Sequence, residues 1–151
     1  MPMKLEEEIK QYHFQNEYQK LMINQLFTGK WIANIISKHL KAFGLTSQQY
    51  NVLRILRGQK ENAISVNAIS DRMIDKMSNV SRLIDKLKAK KLVQRKINKE
   101  DRRQVDIEIT PSGLELIKKI EANEHTMFNQ LSALSETEAK HLNELLDKLR
   151  G

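Results

Sequence analysis

The hydrophobic pattern of this chain changes period once and then changes back. Val80, Leu83, Ile84 and Leu87 fall at i, i+3, i+4 and i+7, one face of a helix. Further on, Val105-Asp106-Ile107-Glu108-Ile109 alternates strictly, as a half-buried strand does. Leu92-Val93-Gln94-Arg95-Lys96-Ile97 is a less regular partner for it, and Asn98 to Gln104 joins the two. Thr110-Pro111 then restarts a helix: threonine suits the N-cap, and proline the first helical position, where its missing N–H would be unpaired anyway. One hairpin enclosed by helices is the pattern the rest of the chain has to fit.

The remaining segments read as helices. With two prolines and five glycines in 151 residues, few breaks are expected. Residues 4–42 form one long helix or two in succession, with Met22, Leu26, Ile36 and Leu40 on one face and Gly29 loosening the middle. Phe43-Gly44 ends it, glycine accepting the left-handed cap conformation. Thr46 and Gln49 have capping-box spacing for a helix carrying Tyr50, Leu53 and Leu56 and closed by Gly58. Ser65 caps a short helix from Val66 to Met73, and a further helix runs from Met77 to Lys90. After Pro111 a long helix carries Leu114, Ile117, Ile120, Phe128 and Leu131; Ser135 and Glu138 then cap a last helix striped by Leu142, Leu145, Leu146 and Leu149.

Charge is concentrated where the period changes. Between Asp71 and Gln104 there are twelve Lys or Arg against five Asp or Glu, a net +7, while the rest of the chain is neutral. A neutral body with one basic segment suits a polyanion-binding surface, although a solvated basic face has the same composition. The order short helix, turn, helix, strand, basic loop, strand is that of a winged helix-turn-helix, whose second helix enters the major groove. Outside the apolar stripe, that helix and the residue before it present Lys76, Ser78, Asn79, Arg82 and Lys86. Arginine can read guanine and asparagine adenine, each with two hydrogen bonds. The seven-residue loop is longer than a tight hairpin needs, and Lys96, Lys99, Arg102 and Arg103 cluster in and beside it, suited to the negative potential of a minor groove. Asp101 is acidic among them; pairing with Arg103 would fix the arginine's direction.

From Leu45 to Gly113 the chain resembles the MarR family of bacterial transcription regulators. The matching stretches are LTSQQYNVLRIL (45–56), MSNVSRLIDKLKAKKLVQRK (77–96) and EDRRQVDIEITPSG (100–113), with the leucine-rich last helix. Asp101-Arg102-Arg103 fits the family's Asp-x-Arg wing pattern. The resemblance implies a mainly α fold with a small β-hairpin wing: N-terminal dimerisation helices over 1–44, a DNA-binding lobe over 45–110, and C-terminal dimerisation helices over 111–151. It implies Ser78, Asn79, Ser81 and Arg82 at the major groove and Arg103 in the minor groove, held by Asp101. Ser65 and Asn67 complete the expected DNA contacts. The implied partners are a second copy of the chain, a palindromic operator, and a small lipophilic or phenolic effector that releases a repressor from DNA; Trp31, His39 and Tyr50 are candidate ligand residues. Lys91 stands where many relatives have glycine, so it has to manage that turn's backbone or the helix ends differently.

Other classes fare poorly. There is no cysteine, which excludes disulfides, thiolate zinc sites and thiol redox sensing. His13, His39, His125 and His141 are dispersed, so no metal and no cofactor is expected. No phosphate loop, dinucleotide turn or nucleophile motif is present, so no catalytic residue is assigned. The first ten residues, MPMKLEEEIK, lack a signal peptide's apolar run, and no stretch approaches the ~20 apolar residues that span a bilayer; a soluble, cytoplasmic protein is expected. Two binding alternatives remain open: a non-specific architectural DNA binder, and a winged-helix adaptor for proteins.

Overall fold

A computed structural model describes residues 3–60 and 62–151. The chain falls into two compact units, residues 1–38 and 39–151.

The long N-terminal segment is two helices, α1 (Leu5–Ile9) and α2 (Glu17–Lys41), the last three residues of α2 belonging to the second unit. No glycine or proline marks the break. Lys10 turns into the left-handed region, with φ of 54°, and α2 restarts where Asn16 Oδ1 accepts the N–H of Gln19 at 2.9 Å. An ion pair between Lys20 and Glu6 ties the two helices together. Gly29 does not interrupt α2. Met22 and Leu26, expected on a packed face, are exposed, whereas Ile35 is buried.

The long helix ends where expected, at Phe43-Gly44. Gly44 is left-handed, with φ of 69°, and the N–H of Leu45 returns to the carbonyl of Leu40 at 3.3 Å. In α3 (Ser47–Gly58) the capping box is reciprocal: Thr46 N–H donates to Gln49 Oε1 at 3.1 Å and Gln49 N–H to Thr46 Oγ1 at 3.2 Å. Lys60, not Gly58, adopts the left-handed conformation beyond this helix.

Next come β1 (Ile64–Ser65), α4 (Val66–Arg72), α5 (Val80–Ala89), β2 (Val93–Ile97) and β3 (Val105–Ile109). The hairpin gains a third strand, in the order β1-β3-β2, all antiparallel, with Ser65 opposite Asp106 and Arg95 opposite Ile107. Lys91 takes φ of 60°. There the N–H of Leu92 closes on the carbonyl of Leu87 at 3.0 Å, the wrapped helix end that glycine normally supplies.

The helix begun by Thr110-Pro111 is shorter than its hydrophobic pattern suggests. α6 (Pro111–Ala122) stops where Asn123 Nδ2 caps the carbonyl of Lys119 at 2.9 Å. A single turn, α7 (His125–Phe128), and a 3-10 turn (Asn129–Leu131) follow before α8 (Glu136–Arg150), which has the expected Ser135–Glu138 capping box.

α3 is the centre of this unit, packing on α4, α5, α6 and β3. Val52, Leu53, Leu56, Ile69, Ile84, Leu87, Ile107, Ile117 and Ile120 are completely or almost completely buried. Gly113 lets α6 press against Leu92 and Ile109: a Cβ at this position would collide with the Leu92 carbonyl and lie 2.6 Å from Ile109 Cγ1. By contrast α8 buries none of its residues, and Leu142, Leu145 and Leu149 lie open on its surface. No helix among the described residues is long and apolar enough to cross a membrane.

Candidate nucleic-acid interface

The helix expected from Met77 begins at Val80 instead, capped by Asn79, whose Oδ1 accepts the N–H of Arg82 at 3.2 Å. That shift changes the roles of the residues before it. Asn79 is exposed, but with its oxygen engaged in the cap only its amide N–H groups remain free, so two-bond reading of adenine is not available in this state. Ser78 lies in the turn rather than on the helix, and its Oγ is buried without a partner rather than presented outward. Ser81, Arg82 and Lys86 are exposed on α5 opposite the buried Val80, Ile84 and Leu87. Lys76 is exposed too, its ammonium resting on the carbonyl of Asp71.

The wing loop is folded, not slack. Asn98 is its organising residue: its Oδ1 accepts the N–H groups of Glu100 at 2.8 Å and Asp101 at 3.0 Å, while its Nδ2 donates to Asp106 Oδ2 at 2.8 Å. The carboxylate of Asp106 is 9% exposed and takes a second bond from Gln104 Nε2 at 3.3 Å. The main chain closes across the same residues, from Asn98 N–H to Gln104 O at 3.1 Å. The expected pairing of Asp101 with the Arg103 side chain is not made: Asp101 Oδ1 instead accepts the Arg103 backbone N–H at 2.9 Å. Among the described residues no ion pair joins the two side chains, so the guanidinium stays free.

Strand β1 brings a further element to the wing. Because Ser65 lies opposite Asp106, the start of α4 sits against the loop, and Ser65, Val66, Asn67, Asp101, Arg103, Gln104 and Val105 line one cleft of about 400 Å³. Ser65 Oγ is taken up by the N–H of Ala68, at 3.1 Å, while Asn67 is exposed. Four of the expected contacts, Ser65, Asn67, Asp101 and Arg103, thus share one concave surface.

Electrostatics separates this surface from its surroundings. Arg95 pairs with Asp85, and Lys96 with Glu108 at 3.3 Å. Lys76, Arg82, Lys86, Lys99, Arg102 and Arg103 have no carboxylate partner among the described residues. Unneutralised cations on a recognition helix and on a folded wing make a surface that attracts a polyanion and releases its counterions.

The three candidate ligand residues differ in character. Trp31 is 44% exposed and, in the first unit, lines a cleft of about 270 Å³ with Met3, Leu5, Glu8, Asn24, Phe27 and Thr28. In the second unit, His39 is half-buried with Nε2 3.4 Å from the Ile120 carbonyl. Tyr50 is buried, and its hydroxyl donates to Glu124 Oε1 at 2.9 Å; burial and that carboxylate push the phenol up to about 12. No three His, Asp or Glu side chains group for a metal ion among the described residues.

Asn98 and Asp106 were not singled out by sequence reasoning. The signal available was an Asn-x-Glu-Asp turn sequence opening a long loop.

The MarR family profile matches residues 43–104. The transcriptional repressor MprA of Escherichia coli is 28% identical over 136 residues, covering 87% of this chain and 77% of MprA. Among solved structures, a MepR–DNA complex from S. aureus aligns with a TM-score of 0.69 at 26% identity, covering 91% of this chain and 97% of MepR. A mutant MarR from E. coli complexed with operator DNA aligns with a TM-score of 0.80 over 91% of this chain and 99% of that one; at 20% identity it is a likeness of fold alone.

Proposed function

We propose that this chain, whose residues 43–104 match the MarR family profile, works as a homodimeric repressor of that family that binds a palindromic double-stranded operator. It is a sequence-specific DNA-binding transcription regulator, not an enzyme. The observation that carries the reading is the set of six cations without carboxylate partners, divided between α5 with its preceding turn and the wing. In this reading α5 lies in the major groove with Ser81, Arg82 and Lys86 toward DNA, and Asn79 offers only its amide N–H groups. Arg103 and Arg102 reach the adjacent minor groove from the wing, and Lys99 with Asn67 meets phosphates beside it.

The apolar faces support pairing. Leu142, Leu145 and Leu149 on α8, and Tyr18, Met22 and Leu26 on α2, are exposed. Two-fold pairing of the terminal helices covers such faces and sets two recognition helices about 34 Å apart, one turn of DNA. The Trp31 cleft, at about 270 Å³, is close to the size of a small-ligand site and suits a small lipophilic or phenolic effector.

The test is selection of bound sequences from a random DNA pool at near-physiological salt. A palindrome with half-sites one helical turn apart is the expected result. Recovery of DNA without a motif would favour an architectural binder. No recovery from folded, dimeric protein would favour an adaptor for other proteins.

A further inference from the structure

The turn joining α4 to α5 carries two side chains that its one lysine, Lys76, does not explain. Ile74 is 88% exposed and Met77 92%, the two most exposed large hydrophobic side chains among the described residues. Scattered exposed hydrophobics are ordinary. Here both fall in the four residues Ile74-Asp75-Lys76-Met77, just ahead of the recognition helix.

The turn holds them in place. The Ile74 N–H donates to Asn51 Oδ1 and the Met77 N–H to Asp75 Oδ1, each at 2.9 Å, while Gln48 Nε2 donates to Asp75 Oδ2 at 3.3 Å. Ser78 N–H closes on the carbonyl of Asp75 at 3.2 Å. A fixed backbone therefore presents two apolar groups outward, although either could be polar without loss to the core. Of the two residues between them, Asp75 has its carboxylate engaged by the Met77 N–H and Gln48 Nε2, while Lys76, like Arg82 on α5, has no carboxylate partner among the described residues, so the surface that covers them is anionic with apolar spots. The major groove of DNA is such a surface: among its base-edge groups the thymine C5-methyl is the apolar one.

We propose that Met77, with Ile74 beside it, packs against thymine methyl groups in the major groove, so that this turn determines sequence preference together with α5. The inference rests on the DNA-binding reading above. Methionine suits the task because its unbranched thioether fills irregular gaps.

The experiment replaces each thymine of the selected operator in turn by deoxyuridine. This removes the methyl and keeps every hydrogen-bonding group of the base pair. For the wild-type protein, at least one position per half-site should weaken binding roughly fourfold, the value of one buried methyl. Met77→Ala should bind the thymine operator weaker by a similar factor and cease to distinguish thymine from deoxyuridine there. Met77→Leu should retain the distinction. Thermal melting of each variant should match wild type, because the side chain is exposed. Equal wild-type affinity for thymine and deoxyuridine at every position would overturn the proposal, as would full discrimination by Met77→Ala. Failure of wild-type protein to bind the all-thymine operator would instead overturn the DNA-binding reading itself.

Discussion

Asn98→Ala should loosen the wing while leaving the rest of the protein folded. The substitution removes three hydrogen bonds at once: two loop N–H groups lose their acceptor, and Asp106 loses the closer of its two side-chain donors, at 2.8 Å. Asp106 is 9% exposed, so its carboxylate is left with one donor at 3.3 Å and little water. A hydrogen bond to a charged group contributes about 1.5–3 kcal/mol, and the exposed loop N–H groups can turn to solvent, so the local loss is about 2 kcal/mol. DNA then has to order the wing as it binds, which weakens affinity by roughly 30-fold. Fluorescence anisotropy against salt concentration separates this from loss of a contact. Asn98→Ala keeps every cation, so its salt slope should equal wild type's. Arg103→Ala should shift the slope by about one phosphate's worth. Wild-type affinity in Asn98→Ala would refute the reasoning, and a reduced salt slope would show that the wing's cations had been displaced, not merely loosened.

The other perturbations probe packing and titration. Gly113→Ala adds a Cβ that collides with the Leu92 carbonyl and Ile109; overpacking of about 1–3 kcal/mol, offset by about 1 kcal/mol of helix preference, should leave a net loss in chemical denaturation. Lys91→Gly should stabilise by about 1 kcal/mol, since the left-handed backbone at φ of 60° strains a side chain but not glycine; an unchanged denaturation midpoint would count against that. For Tyr50 the folded-state phenol is pushed up to about 12 from 10.0, so its contribution to stability is intact below pH 10 and is lost as pH rises toward 12. Tyr50→Phe should therefore lose less stability than wild type over that interval.

The parts legible in the sequence were those with a local signal. Val80, Ile84 and Leu87 are buried as their spacing demands, Val105 to Ile109 is a strand, and Thr46, Ser65, Thr110 and Ser135 all cap helices. What was missed depends on partners distant in the chain or on competition between local signals. β1 has two residues, too few to show a period, and exists because β3 pairs with it some 40 positions later. The start of α5 moved from Met77 to Val80 because Asp75 collects Met77 and Ser78 into a turn before Asn79 caps the helix. The same displacement took the Ser78 hydroxyl inward and engaged the Asn79 oxygen. Glu124 draws in the Tyr50 hydroxyl from another element, and nothing near Tyr50 in sequence announces it. For Lys91 the resemblance left two outcomes, that it manages the turn's backbone in place of glycine or that the helix ends differently, and it takes the left-handed conformation.

The bare leucine stripe of α8 has a consequence for dosage. A helix of fifteen residues that buries none of them has little tertiary support of its own, and isolated helices of that length are marginal in water. Its order then comes from whatever covers the stripe. If a second copy does so, folding of the C-terminal segment obeys mass action: dilution unravels it, and rising protomer concentration raises its stability. Occupancy of a palindrome would then rise more steeply than linearly with the amount of chain, giving a threshold in abundance before any effector is present.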